Sequence, residues 1–219
     1  MLLPIRFLLR TRYRCPYVPI QPDHLDRLDA ELPATSRLDN LAALDGQTNF
    51  AEVYLGWNEL GLLVRLRVRG KESAPTGDVA LPLRSDGLSL WLDTRGDRTS
   101  HRATRWCHQF HFLAAGAGPE RDQPTGLQRR INRALDDAPL ASPSEIPLHL
   151  RRTRNGYQLD AFLGAALLNG FDPDQQPILG MTYAVYHSQL GEQVLTVNHD
   201  FPFTEDPSLW SVLELVRPT

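Results

Sequence analysis

Apolar and polar positions alternate with a period of two along most of this chain, the pattern of half-buried β-strands. Over residues 5–15, Ile5, Phe7, Leu9, Tyr13 and Cys15 share one face, while Arg6, Arg10, Arg12 and Arg14 share the other. From Ala51, Val53, Leu55 and Trp57 line one side of a strand. A tight turn at Asn58-Glu59-Leu60-Gly61 then leads into Leu62, Val64, Leu66 and Val68, with Arg65, Arg67 and Arg69 turned away. The strand 87–93 buries Leu88, Leu90 and Leu92, which puts Ser89, Trp91 and Asp93 on its opposite face. Residues 105–113 alternate Trp106, His108, Phe110 and Phe112 against Cys107, Gln109, His111 and Leu113. Strands at 148–154 and 157–163 are joined by Asn155-Gly156, a strong hairpin signal. Further strands are expected at 180–188, at 193–198 beyond Gly191, and at 211–216 beyond Pro207.

Between these runs the pattern lapses. Pro16, Pro19 and Pro22 interrupt regular pairing, and residues 23–44 read as irregular with a helical turn at 23–31. Gly and Pro mark 70–85 as a loop. A long loop spans 114–147, with a brief helical segment at Leu127–Leu135; loops of that length are usually functional or mobile. Ala165–Asn169 reads as a short helix closed by Gly170, the residue that a helix C-terminus favours. Strand follows strand with one or two short helical insertions, so the fold class is all-β. Two antiparallel sheets pack as a jelly-roll-like sandwich in one domain over residues 1–219.

Composition narrows the function classes. Apolar residues make up 42% and charged residues 22%, as in an ordinary folded domain rather than a disordered chain. A net charge of −3 favours neither nucleic acid nor an anionic membrane. Two cysteines, Cys15 and Cys107, are too few for a disulfide framework or a cysteine-based zinc site. The first residues lack a continuous apolar stretch and a small-residue cleavage site, which makes cytoplasmic the default compartment. Apolar runs fall well short of the roughly 18 residues of a membrane span.

Five segments together resemble a known family. They are Trp57-Asn-Glu-Leu-Gly-Leu62, Ser85-Asp-Gly-Leu-Ser-Leu-Trp-Leu-Asp93, Gly156-Tyr-Gln-Leu-Asp-Ala161, the glycine-led strand at 180–185, and Asp206-Pro-Ser-Leu-Trp210 followed by Leu213-Glu-Leu215. In this order they resemble the family 9 carbohydrate-binding modules and the wider DOMON-like group, over roughly residues 51–216. The resemblance implies a jelly-roll-like sandwich without catalysis, two tryptophans that clamp a saccharide ring, and structural calcium nearby. The residues themselves indicate no cofactor, and calcium rests on the resemblance alone.

Candidate chemistry starts from the indoles. The flat apolar face of a tryptophan stacks on the C–H face of a sugar while polar groups at its rim bind hydroxyls. Trp91, out of phase with three inward leucines, and Trp210, beside inward Leu209, are expected at the surface as such a platform. The alternative is that both merely cover a sheet. Trp57 and Trp106 share phase with apolar neighbours and are expected in the core. The run from His101 to His111 holds three histidines, two arginines and a cysteine in eleven positions. Strand geometry sends Cys107 and His108, and likewise His108 and His111, to opposite faces, which opposes a metal site. His101, Arg102 and Arg105 remain as contacts for a saccharide or an anion. The arginine rows require acidic cross-strand partners or solvent.

The leading expectation is therefore a non-catalytic binding domain for carbohydrate, with Trp91 and Trp210 as stacking surfaces and His101, Arg102 and Arg105 as polar contacts. One rival is a structural or protein-interaction sandwich without a sugar site. The other is a haem or metal carrier using Met181 with His108 or His199. Enzyme motifs such as a Gly-x-Ser-x-Gly elbow or a phosphate-binding glycine loop do not occur in the sequence.

Overall fold

The structure is a computed structural model that describes residues 11–19, 31–70, 73–197 and 199–218. Twelve strands form two sheets. In the first, β1 (Arg12–Pro16), β12 (Ser211–Val216), β10 (Ile178–His187), β5 (Gly87–Asp93), β6 (Cys107–Ala117) and β7 (Gln123–Arg129) lie side by side in that order, and β11 (Gly191–Val194) also pairs with β10. In the second the order is β2 (Arg37–Leu38), β3 (Ala51–Asn58), β4 (Gly61–Arg69), β9 (Gly156–Gly164) and β8 (Leu148–Thr153). Pairing is antiparallel except between β1 and β12, which run parallel. No helix among the described residues is long and apolar enough to cross a membrane.

The alternation read from the sequence is the alternation that packs. Leu55, Trp57, Leu62, Val64 and Leu66 of one sheet meet Leu88, Leu90, Leu92, Phe110 and Phe112 of the other in one continuous core. The β3–β4 turn needs its glycine: Gly61 has φ +147°, and a Cβ there would lie 2.0 Å from the carbonyl oxygen of Leu163 on β9. Several connections differ from expectation. The stretch 114–147 is not one loop, because β6 continues to Ala117 and β7 occupies Gln123–Arg129, so Leu127 belongs to a strand rather than a helix. The expected helix at 165–169 is a single 3₁₀ turn at Ala165–Leu167. Residues 5–10, with Arg6 and Arg10, and residues 23–30 lie outside the described residues.

The arginine rows resolve through pairing. Arg65 and Asp160 are cross-strand neighbours and form an ion pair that is buried on both sides. Gln158 donates to the other oxygen of Asp160 at 2.7 Å and accepts from Arg67 Nε at 2.9 Å. The Arg67 guanidinium also lies over the Tyr54 ring, 5.1 Å from its centroid. Removing one partner of a buried pair leaves the other charge uncompensated, which costs about 3–5 kcal/mol. Asp160→Ala is therefore expected to lower stability by about that amount in urea denaturation. A change near zero would show that Arg65 reaches water.

The first sheet is covered on both faces. On its outer face Trp91, Cys107, Ala184 and Val194 pack beneath Ala103, Ile131, Val197, Phe203 and Trp210, which come from the connecting segments. Two histidines of β6 are caught between these layers on opposite sides. His108 faces the inter-sheet core, stacked on Phe110 with ring centroids 5.9 Å apart and bonded to Gln128 at 3.2 Å. His111 faces the outer layer, where Nδ1 meets Ser89 Oγ at 2.7 Å and Nε2 meets Gln109 at 3.0 Å. Burial pushes their imidazoles down from the ordinary 6.5, to about 4 for His108 and to about 3 for His111, where the charge of Arg129 adds to the effect.

These depressed values fix the sign of the pH dependence. Above about pH 6.5 both rings are neutral whether the chain is folded or not. As pH falls toward 4 and then 3, the unfolded chain takes up protons that the folded chain refuses, so stability is lost. Urea denaturation between pH 7 and pH 4 is expected to show this decline, and a His108→Gln/His111→Gln double variant should have a shallower one. An unchanged slope would assign the acid sensitivity to other groups.

Candidate functional site

At the end of β5 the chain turns sharply around Asp93. Its Oδ1 accepts from the Arg95 N–H at 2.9 Å and its Oδ2 from the Asp97 N–H at 2.8 Å. Burial pushes the Asp93 carboxyl up, and the hydrogen bonds from those N–H groups pull it back. Asp97 closes the next turn, accepting from Thr99 N–H at 2.9 Å and Thr99 Oγ at 2.7 Å, bonds that hold its carboxyl below the usual range. Thr94 ties this turn to its neighbours: its N–H donates to the Trp106 carbonyl at 3.0 Å and its hydroxyl to the Asn169 carbonyl at 2.6 Å. Asn169 in turn donates to the Arg105 carbonyl at 3.0 Å.

Trp106 stands where these turns meet. It precedes β6, in the turn that leads into the strand, and it is only half-buried. Gly170, with φ +79°, admits the ring: a Cβ there would lie 2.6 Å from Trp106 Cε3. The Arg95 guanidinium lies over the indole 4.4 Å from its centroid, and that of Arg105 is 5.7 Å away. Beside this stack opens a cleft of about 490 Å³. Buried Asp93, Cys107 and Pro207 form its floor, Ser100, Thr104 and Trp106 its flanks, and exposed Arg95, Asp97 and Arg102 its rim. Burial pushes the Cys107 thiol up to about 12, so it stays protonated.

One of the expected contacts lines this mouth and the other two lie beside it. Arg102 lines it, with Nε held on the Arg133 carbonyl at 2.9 Å. His101 anchors the turn that carries Pro207, its Nδ1 lying 3.1 Å from Asp206 Oδ2 and 3.0 Å from Ser208 Oγ. Arg105 lies alongside, paired with Asp136 at 3.0 Å and near the Trp106 ring.

The expected indole platform is corrected. Trp91 is 0% and Trp210 1% exposed. Trp91 does lie on the outer face, as its phase requires, but Phe203 packs edge-on against it at 5.6 Å. Trp210 is fixed by a 2.7 Å bond from Nε1 to the Phe203 carbonyl. The segment carrying Phe203 covers both rings, so neither offers a stacking face. Trp210 instead backs the cleft floor: a Cβ at Gly180 would be 3.2 Å from Asp93 Cβ and 3.8 Å from Trp210 Cε3. Trp57 is in the core as expected. Trp106, expected there too, is the indole that reaches a cleft.

Two larger clefts lie elsewhere. One, of about 590 Å³, includes Asn40, Asn49, Phe50 and Arg69 in its lining; the other, of about 670 Å³, includes Arg14, Tyr54 and Arg217. Neither is lined by a tryptophan, so size does not decide among them. No three His, Cys, Asp or Glu side chains converge among the described residues. Asp93 and Asp97 already use carboxylate oxygens on their own turn, so the donor set does not fit the calcium that the resemblance implies. Met181 and His108 lie either side of Leu92 in one row of the packed core, leaving no gap for a haem between them. His199 is paired with Glu192 at 2.7 Å at the surface.

No protein-family model matches the chain, and no curated protein matches it. Among solved structures it is similar to a family 9 carbohydrate-binding module from Caldicellulosiruptor kristjanssonii in complex with cellotriose, at 15% identity and TM-score 0.58, covering 95% of each chain. The same module in complex with glucose gives 16% identity and TM-score 0.58, covering 95% of this chain and 97% of that one. A candidate carbohydrate-binding protein from Bacteroides uniformis is similar at 12% identity and TM-score 0.57, covering 94% and 100%. At such identities the likeness establishes architecture. The chain has the sandwich fold of the family 9 carbohydrate-binding modules, over more of its length than the segments of the sequence alone delimit.

Proposed function

We propose that this chain is a non-catalytic carbohydrate-binding domain whose ligand occupies the cleft beside Trp106. The observation that carries the reading is a half-buried indole set among hydrogen-bonding side chains at the edge of a sandwich. Its fold is shared with a module solved in complex with cellotriose and glucose. A saccharide offers an apolar C–H face and a ring of hydroxyls, and recognition needs one aromatic wall with polar groups around it. Trp106, with the Arg95 guanidinium over part of its ring, supplies the wall; Ser100, Thr104, Asp97 and Arg102 supply the polar groups. Binding without reaction fits the carboxylates, because Asp93 and Asp97 belong to one turn rather than facing each other across a cleft, as a glycosidase requires.

Titration of intrinsic fluorescence with cellotriose and with a saccharide panel tests this reading. Trp106 is the indole that reaches this cleft, so a ligand there should shift the emission. Trp106→Ala should weaken binding about tenfold or more, equivalent to about 1.4 kcal/mol. Undiminished binding in that variant would move the site elsewhere. Silence toward every saccharide would leave a scaffold or protein-interaction role.

A further inference from the structure

We propose that the cleft selects a saccharide bearing a carboxylate, a uronic-acid sugar, and that Arg95 is the residue that recognises it. This deepens the carbohydrate reading of the same cleft and rests on it. The argument turns on which hydrogen-bonding groups are already used. Both oxygens of Asp93 accept backbone N–H groups, and one oxygen of Asp97 accepts two donors from Thr99. Three of the neighbouring cations are engaged as well. Arg105 pairs with Asp136, Arg130 with Asp137 at 3.4 Å, and Arg102 donates to the carbonyls of Arg133 and Ala134.

Arg95 differs from these three, and Arg98, also without a partner among the described residues, lies outside the cleft lining. Among the described residues the Arg95 guanidinium has no hydrogen bond and no carboxylate partner, only the indole of Trp106 beneath it. A guanidinium lying on an aromatic face keeps its N–H groups in its own plane, directed outward from its edge. Contact with the ring already restricts the side chain, so less freedom is lost when a ligand binds. That edge matches a planar carboxylate in a bidentate contact, stronger and more directional than one to a hydroxyl. The turn that presents Arg95 is fixed from below by buried Asp93, so the donor is aimed by the fold. In the same lining Ser100 Oγ, which donates to the Arg102 carbonyl at 2.7 Å, and Thr104 Oγ, which accepts from the Trp106 N–H at 3.4 Å, each keep a further bond for a sugar hydroxyl.

Isothermal titration of the whole chain with C6-carboxylate trimers of glucose, galactose and mannose, each against its neutral parent, tests the proposal. At least one acidic trimer should bind tenfold or more tightly than its parent, with the preference shrinking as salt is raised. Arg95→Gln should reduce the preference to under about threefold, and Arg95→Lys should leave an intermediate value, because charge without the planar fork is a poorer match. Arg152→Gln on exposed β8 makes the same change in net charge and should keep the preference. Arg95 is exposed, so its variants should fold with wild-type melting curves. Neutral parents binding as tightly as the acids would overturn the anion selectivity while sparing carbohydrate binding. Equal loss in Arg95→Gln and Arg152→Gln would reduce the effect to overall charge and remove Arg95 from its role. Failure of every trimer to bind would remove both readings together.

Discussion

A sheet buried on both faces has to be apolar on both, and that demand organises this molecule. The inner face of the larger sheet meets the smaller sheet through leucines and phenylalanines. Its outer face meets chain that is not sheet at all, where Phe203 and Trp210 close over Trp91. Burying an indole contributes roughly 1.5–3 kcal/mol or more from its area, and an edge-to-face aromatic pair adds about 0.5–1.5 kcal/mol. Trp91 gains this although its N–H finds no partner among the described residues, a loss of about 1–3 kcal/mol. The ring is therefore placed for volume. Two tryptophans that could have served as a binding surface hold the connecting segments onto the sheet.

The same segments create the cleft at their margin. Once the chain near Phe203 lies across the sheet, its continuation through Asp206 and Pro207 meets the turn at His101 and is fastened there. The β5 turn approaches from the other sequence direction, tied to Trp106 and Asn169 by Thr94. Three connections, those after β5, β9 and β11, converge at one place, and Trp106 and Arg95 stack beside the space between them. The opening is a packing consequence of covering the outer face. Its polar lining follows, since turns expose the groups that strands bury.

The sequence made much of this legible, and its failures have a common cause. A period of two assigns each residue to a face but says nothing about what lies over that face. So the period puts Trp91 on the correct side of β5 but cannot show that the ring is covered there. Trp106 fails in the opposite way. Its phase matches Phe110 and Phe112, but phase holds only inside the strand, and β6 starts at Cys107. One residue earlier the backbone is a turn, and the indole leaves the core. Local density of polar side chains singles out His101, Arg102 and Arg105, a signal that does not depend on register; of the three, Arg102 lines the cleft, while His101 and Arg105 lie on neighbouring turns. The long connection at 114–147 hid β7 because Gln123-Pro-Thr-Gly126 lacks apolar alternation, and its pairing with β6 supplies what its own sequence does not.

The acidic residues that bracket β5 show how readily architecture imitates chemistry. Asp86 at one end accepts from Thr76 N–H at 2.9 Å and Ser188 N–H at 2.6 Å, fastening two loops to the strand. Asp93 at the other end folds its own turn in the same manner. A buried carboxylate is tolerated only where donors replace its water, and backbone N–H groups at the ends of strands need acceptors just as urgently. Each need satisfies the other, so a strand flanked by aspartates is a stable solution whether or not a ligand binds. The reactive-looking acids are thus committed to holding the backbone. What they hold in place at the Asp93 end is an arginine whose donors the fold has left open.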